Sequence, residues 1–178
     1  NSSDEQRVKS LLASHPMIKQ TLDVLNEHYA MEEEITFAFG GEEGPSYDPE
    51  SRRIDVPYYF YLETEERFLA DSDWADMAGR ATISGLVHTL MHEYGHAIVD
   101  QLQLPVLGRE EDAVDGFATW VLLTHFTEGK QITLDAARLF YLESLDYKEI
   151  TDDLLWDEHS LDMQRYYQTL CQLYGSAP

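Results

Sequence analysis

Two histidines four residues apart, His92 and His96, lie inside a run that reads as one helix from Ala81 to Leu104, stopped by Pro105. Residues at that spacing share a helical face. Both imidazoles can therefore reach one ion at the ~2.0–2.1 Å usual for zinc–nitrogen bonds. Any fold containing this helix must then bring a further ligand to the same face and leave a cleft over it. Glu93 is offset around the helix, so it addresses a water activated by the metal rather than the metal. Zinc lowers the pKa of such a water to roughly 7. Glu93 is thus expected to act as general base, passing the proton to a leaving amine. Gly95 lies mid-helix, where glycine costs about 1 kcal/mol relative to alanine; a close approach is expected there. His88 extends the row, but eight residues rise about 12 Å. His88 cannot share the ion with His96 and is expected to be a packing or surface residue.

The third protein ligand must come from elsewhere. After Pro105 and Gly108, a second helix is predicted over Glu110 to Glu128, closed by Gly129. Glu111 can complete a His₂Glu set and leave the fourth position to water; Asp112 is the alternative. Asp115, one turn further in, sits among Ala113, Val114, Phe117 and Ala118. A carboxylate there needs a partner, and the free N–H of a ligand histidine would serve while orienting the ring. Glu110 is explained by the helix dipole alone.

The rest of the chain reads as strands followed by helices. Helices are predicted from Asp4 to Ala13 and from Pro16 onward, the latter with Met17, Ile18, Leu22 and Leu25 as its apolar stripe. Ile35 to Phe39 alternates as a strand, and Gly40, Gly41, Gly44 and Pro45 break the chain after it. Residues Asp48 to Ser51 form a turn before a strand from Arg53 to Tyr61, which Pro57 marks as an edge or a bulge. Further helices are expected over Thr133 to Tyr147 and over Asp157 to Tyr174, closed by Gly175. The expectation is a single α+β domain over residues 1–178, mostly helical, with a small antiparallel sheet preceding the long helix.

The chain carries 12 Lys and Arg against 34 Asp and Glu, a formal net charge of −22. That charge repels nucleic acid and anionic membranes, and no apolar run is long enough to insert in a bilayer. The one cysteine, Cys171, excludes an internal disulfide and a cysteine-based zinc site. Between Leu170 and Leu173 it is expected to be buried. The chain opens at Asn1 rather than Met, as expected of a processed N-terminus from which a secretory signal has been removed.

The His92-Glu93-Tyr94-Gly95-His96 segment with the Glu111–Asp115 pair resembles the gluzincin group of zinc peptidases, which includes thermolysin. The resemblance implies zinc held by His92, His96 and Glu111, Glu93 as base, and Asp115 holding a ligand histidine. The interval from the motif to Glu111 is shorter than in thermolysin, which leaves Asp112 in play. A closer resemblance is to a bacterial metallopeptidase-like family catalogued as a domain of unknown function. It rests on Tyr47-Asp48-Pro49-Glu50, the HEYGH segment, the run from Leu104 to Ala113, and Asp157-Glu158-His159-Ser160-Leu161-Asp162 followed by Gln164-Arg165 and Cys171. It implies a secreted or periplasmic zinc protein with a zincin-like fold.

The expected activity is zinc-dependent hydrolysis of a peptide or protein substrate. The alternatives are a zinc hydrolase of a non-peptide amide and a zinc-binding module without turnover. Placed near the start of the last predicted helix, and supported by the resemblance in that block, His159 is expected to donate a hydrogen bond to the transition state. The bland alternative has Asp157 as a helix cap, His159 on the surface and Arg165 paired with a nearby acid.

Overall fold

The computed structural model describes residues 2–29 and 31–177. Helix α1 (Ser3–Ser14) opens on a reciprocal cap: the Ser2 hydroxyl accepts the Glu5 N–H at 3.2 Å, and the Glu5 carboxylate accepts the Ser2 N–H at 2.9 Å. Pro16 starts α2 (Pro16–His28), where its missing N–H has no partner to lose. Three short strands follow, β1 (Thr36–Phe39), β2 (Ser46–Asp48) and β3 (Arg53–Val56). The remainder is helical: α3 (Tyr58–Ala70), a single 3₁₀ turn, α4 (Ala78–Gln101), α5 (Glu110–His125), α6 (Gly129–Glu143), the short α7 (Asp152–Trp156) and α8 (Asp162–Ser176). Among the described residues no helix is long and apolar enough to cross a membrane.

Helix α4 is the axis of this arrangement. It packs against α3, α5 and α6, so Leu86, Val87, Leu90 and Met91 are fully enclosed. One buried cluster joins them to Val8 of α1, Ile54 of β3, Leu122 of α5 and Ile132 of α6. Burial on most sides explains why α4 lacks a polar face. Gly85 lets α6 approach, since a Cβ there would stand 3.0 Å from Leu139 Cδ2.

Several expectations need correction. The sheet is mixed, not antiparallel: its order is β1-β3-β2, with β1 and β3 parallel and β2 and β3 antiparallel. The Asp48 turn makes a β2–β3 hairpin, with Asp48 accepting from Glu50 N–H at 2.9 Å and from the Ser51 hydroxyl at 2.6 Å. The glycine-rich loop after β1 carries the chain past the place that β3 then fills, which leaves β3 parallel to β1. The strand predicted to reach Tyr61 ends at Val56. Pro57, with φ −70° and no N–H, stops the ladder and leads into α3. Gly129 does not close α5, which ends at His125; it opens α6, at a point so near Leu122 O that a Cβ would stand 2.0 Å from it. Cys171 is exposed. Helix α8 turns Arg165 and Thr169 inward, and Cys171 lies about 200° around the helix from Thr169. The helix predicted from Asp157 begins only at Asp162, as α8, while the short α7 ends at Trp156, which leaves His159 on the loop between them.

Candidate metal centre

The centre forms where α4 meets the first turn of α5. The approach is close because Gly95 has no side chain: a Cβ there would lie 2.9 Å from both Val114 Cβ and Val114 Cγ1. His92 and His96 project from one face of α4, with their Nε2 atoms 3.3 Å apart. Glu111 of α5 meets them, Oε2 lying 3.1 Å from His92 Nε2 and Oε1 3.3 Å from His96 Nε2. One ligand atom from each of the three residues falls within a 4.8 Å span. Among the described residues, that group is built with Glu111 and not with Asp112.

Each imidazole is oriented from behind by a carboxylate. His92 Nδ1 lies 2.8 Å from Asp115 Oδ1, and His96 Nδ1 lies 2.8 Å from Glu110 Oε1. A proton on each Nδ1 leaves a lone pair on each Nε2, the form a metal ligand needs. Asp115 is held in turn by Arg165, whose Nε and Nη2 donate to it at 2.7 and 2.9 Å. Burial works to raise the pKa of Asp115, but His92 and Arg165 outweigh it and hold the carboxyl well below its ordinary value. At Glu111 burial is likewise overcome, here by His159, His92 and His96. Burial disfavours the cationic form of His96, yet Glu111 and Glu110 raise its pKa to about 9. The carboxylates impose a field that favours positive charge at the point where the Nε2 atoms converge.

His159 completes the ring of donors from the α7–α8 loop. Its Nε2 is 3.0 Å from Glu111 Oε2, and its ring stacks on His92 at a centroid distance of 5.9 Å. Asp157 accepts from the His159 backbone N–H at 2.9 Å and faces its Nδ1 at 3.1 Å. Asp157 therefore orients the histidine; it ends α7 as its C-cap and is not the N-cap of α8, a place that Leu161 takes. Arg109 fastens the same loop: its Nη1 donates to the carbonyls of Asp157, Glu158 and His159, the last at 2.5 Å.

A cleft of about 700 Å³ lies over these groups, lined by His92, Glu93, His96, Glu111 and His159 and walled by the edge strand β2. The Tyr47 hydroxyl donates to Asp100 of α4 at 3.0 Å, tying β2 to the helix that carries His92 and His96. Glu93 is 7% exposed. Burial raises its pKa despite His92 and His96, which makes it a stronger base than a surface glutamate. His88 is buried one turn before His92, its ring edge-on to Phe140.

The residues present fit a metal ion. Glu111 Oε2 is buried and has no hydrogen-bond partner, even though His92 and His159 nitrogens lie close to it. An anionic oxygen left so inside a protein is costly unless a cation is near. Two imidazoles and one carboxylate suit a borderline divalent ion.

The sequence singled out His92, Glu93, His96, Glu111, Asp115 and His159, and the fold brings all six together. It did not single out Glu110 as the partner of His96, Asp157 as the partner of His159, or Arg109 as the fastening of the loop. A signal existed for Glu110, since it directly precedes Glu111 on a helix whose start faces the site. None existed for Arg109, whose acceptors are backbone carbonyls some fifty residues away. No curated protein and no solved structure gives a significant match. The sequence profile of the family described as "Putative metallopeptidase" (DUF4344) matches residues 1–178, and the chain belongs to that family.

Proposed function

We propose that this chain is a zinc-dependent peptidase that uses Glu93 as its general base. The observation that carries the proposal is the convergence of His92 Nε2, His96 Nε2 and Glu111 in one cleft that Glu93 also lines. When bound there, zinc supplies a Lewis acid that polarises a carbonyl and lowers the pKa of water. Glu93 takes the proton of the attacking water and hands it to the departing amine. His159, its ring held by Asp157, donates from Nε2 to the oxygen that gains charge in the transition state. Asp115 and Glu110 keep the ligand imidazoles in the required tautomer. Strand β2 at the cleft wall favours an extended substrate, since an edge strand pairs with a peptide backbone. The proposed substrate is a peptide or protein and not nucleic acid, in keeping with the net charge of −22. The family resemblance carries a secreted or periplasmic setting with it.

The test combines metal analysis with a broad peptide-library digest. The expected result is one zinc per chain, with cleavage that Glu93→Gln reduces to near background while zinc is retained. Zinc with no peptide cleaved, but a small amide opened, would favour an amidohydrolase. Zinc with neither activity would leave a binding module. Full activity in Glu93→Gln would remove Glu93 from the mechanism.

A further inference from the structure

Beside the main cleft lies a smaller pocket of about 200 Å³, the size for a single side chain. His92 and Glu93 line both cavities, so the pocket opens where the scissile bond would sit. Phe60, Leu139 and Phe140 give it apolar walls, Glu143 contributes a carboxyl group, and Arg165 also borders it, its guanidinium turned to Asp115.

That carboxyl has charged neighbours but no hydrogen-bond partner among the described residues. Glu143 is the last residue of α6, where the helix dipole disfavours negative charge. Burial pushes its pKa up to about 7, and Asp162 adds to the effect, while Arg165 and Arg67 only partly offset it. Those arginines are committed elsewhere. Arg165 donates to Asp115 and lies over the Phe140 ring at 4.1 Å; Arg67 forms a two-pronged pair with Asp146. Among the described residues, no hydrogen bond or ion pair engages the Glu143 side chain. Glutamine would fill the same space without these penalties.

We propose that this pocket receives a basic side chain, lysine or arginine, from the residue of the substrate next to the cleaved bond, and that Glu143 is its recognition residue. The inference rests on the peptidase reading for its substrate class, but on the pocket for its chemistry. A lysine or arginine stem covers apolar walls while its head seeks a carboxylate, and a charge-assisted hydrogen bond to that carboxylate is stronger than a neutral one. The main cleft agrees in sign. Asp100, Glu110 and Glu158 line it, and the guanidinium of Arg109, its lone arginine, is turned to backbone carbonyls.

The experiment uses the zinc-loaded full chain and two readouts. In cleavage, a peptide series varied at the residues flanking the bond should show lysine and arginine preferred over norleucine by about tenfold or more in kcat/KM. E143Q should abolish that difference, and E143K should reverse it toward acidic residues. In binding, a lysine hexapeptide and its norleucine counterpart are titrated into zinc-loaded E93Q and into E93Q/E143Q. The advantage of the lysine peptide over its counterpart should be about tenfold larger in the first than in the second. Peptide cleavage without a basic preference would overturn the pocket assignment and leave the peptidase reading intact. A Glu143-dependent lysine preference in binding, with no peptide cleaved, would do the reverse. Equal binding of the two peptides together with no cleavage would overturn both.

Discussion

His92 Nδ1 and Asp115 Oδ1 are 2.8 Å apart, and the same carboxylate accepts two hydrogen bonds from Arg165. One buried acid thus links α4, α5 and α8 while fixing the tautomer of a ring in the proposed metal centre. Removing its charge without changing its shape should weaken zinc binding by roughly 10–100-fold, as is usual for groups that orient ligands. Asp115→Asn should do this with the circular dichroism spectrum unchanged. Arg165→Ala should act differently, lowering thermal stability by the order of 3–5 kcal/mol because it strands a buried acid. Competition titration with a chromogenic chelator reads the first effect and thermal melts the second. Parent-like zinc affinity in Asp115→Asn would mean that the contact is incidental.

Gly95→Ala separates helix propensity from helix packing. Alanine favours an isolated helix by about 1 kcal/mol over glycine. Here the added Cβ would meet Val114 Cβ and Cγ1 at 2.9 Å and Phe117 Cδ1 at 3.2 Å. Val114 is 1% exposed and has no room to yield. The helices must then part where Glu111 meets His92 and His96. The expected cost is about 1–3 kcal/mol in stability, with zinc affinity down about tenfold. A higher melting temperature with intact zinc affinity would refute this account of the glycine.

What could be read from the sequence was local and periodic. The four-residue spacings of His92 with His96, and of Glu111 with Asp115, state which atoms share a face, and Gly95 marks a helix contact by its own cost. Pairings set by distant chain segments left no such mark. The parallel match of β1 to β3 depends on the path of the loop between them. The inward face of α8 depends on where α6 lies, so the apolar neighbours of Cys171 pointed the wrong way. Glu110 already had a sufficient explanation in the helix dipole, and only the position of His96 reveals its second partner. Pro57 was legible as a disruption, but not as the end of a strand and the start of a helix.

His88 should make the protein acid-sensitive. It is 2% exposed, its Nε2 is 3.5 Å from the Thr119 hydroxyl, and burial lowers its pKa to about 4. In the unfolded chain the value returns to about 6.5. Below pH 6.5 the unfolded state therefore binds more protons than the folded one, and stability falls as pH falls from 6.5 toward 4. The loss from this group reaches about 3 kcal/mol at the lower limit. Urea denaturation of parent and His88→Gln, with chelator present throughout, should show a gap that changes in the variant's favour over that range. A gap independent of pH would show that His88 is not the group responsible.

Arg109 is expected to support turnover without touching substrate. It is the residue from which α5 begins, one before Glu110 and two before Glu111, and its Nη1 holds three successive carbonyls of the loop that carries His159. The guanidinium thus ties the loop that carries His159 to the start of α5, while Asp157 holds the His159 backbone N–H and its ring within the loop. His159→Ala should lower kcat and kcat/KM together by about 100-fold with zinc content unchanged, the mark of a donor acting in the transition state. Arg109→Ala should reproduce part of that loss, about tenfold or more, because the untied loop places the donor correctly for less of the time. Arg109→Lys should recover part of it, since a single nitrogen, Nη1, reaches all three carbonyls and an ammonium carries three N–H donors of its own. The double variant distinguishes positioning from a separate contribution. If Arg109 works through His159, Arg109→Ala adds nothing once His159 is alanine, and the two losses are not additive. Additive losses would show that Arg109 acts on the substrate or on Glu111 directly, and its role as the fastening of His159 would have to be abandoned.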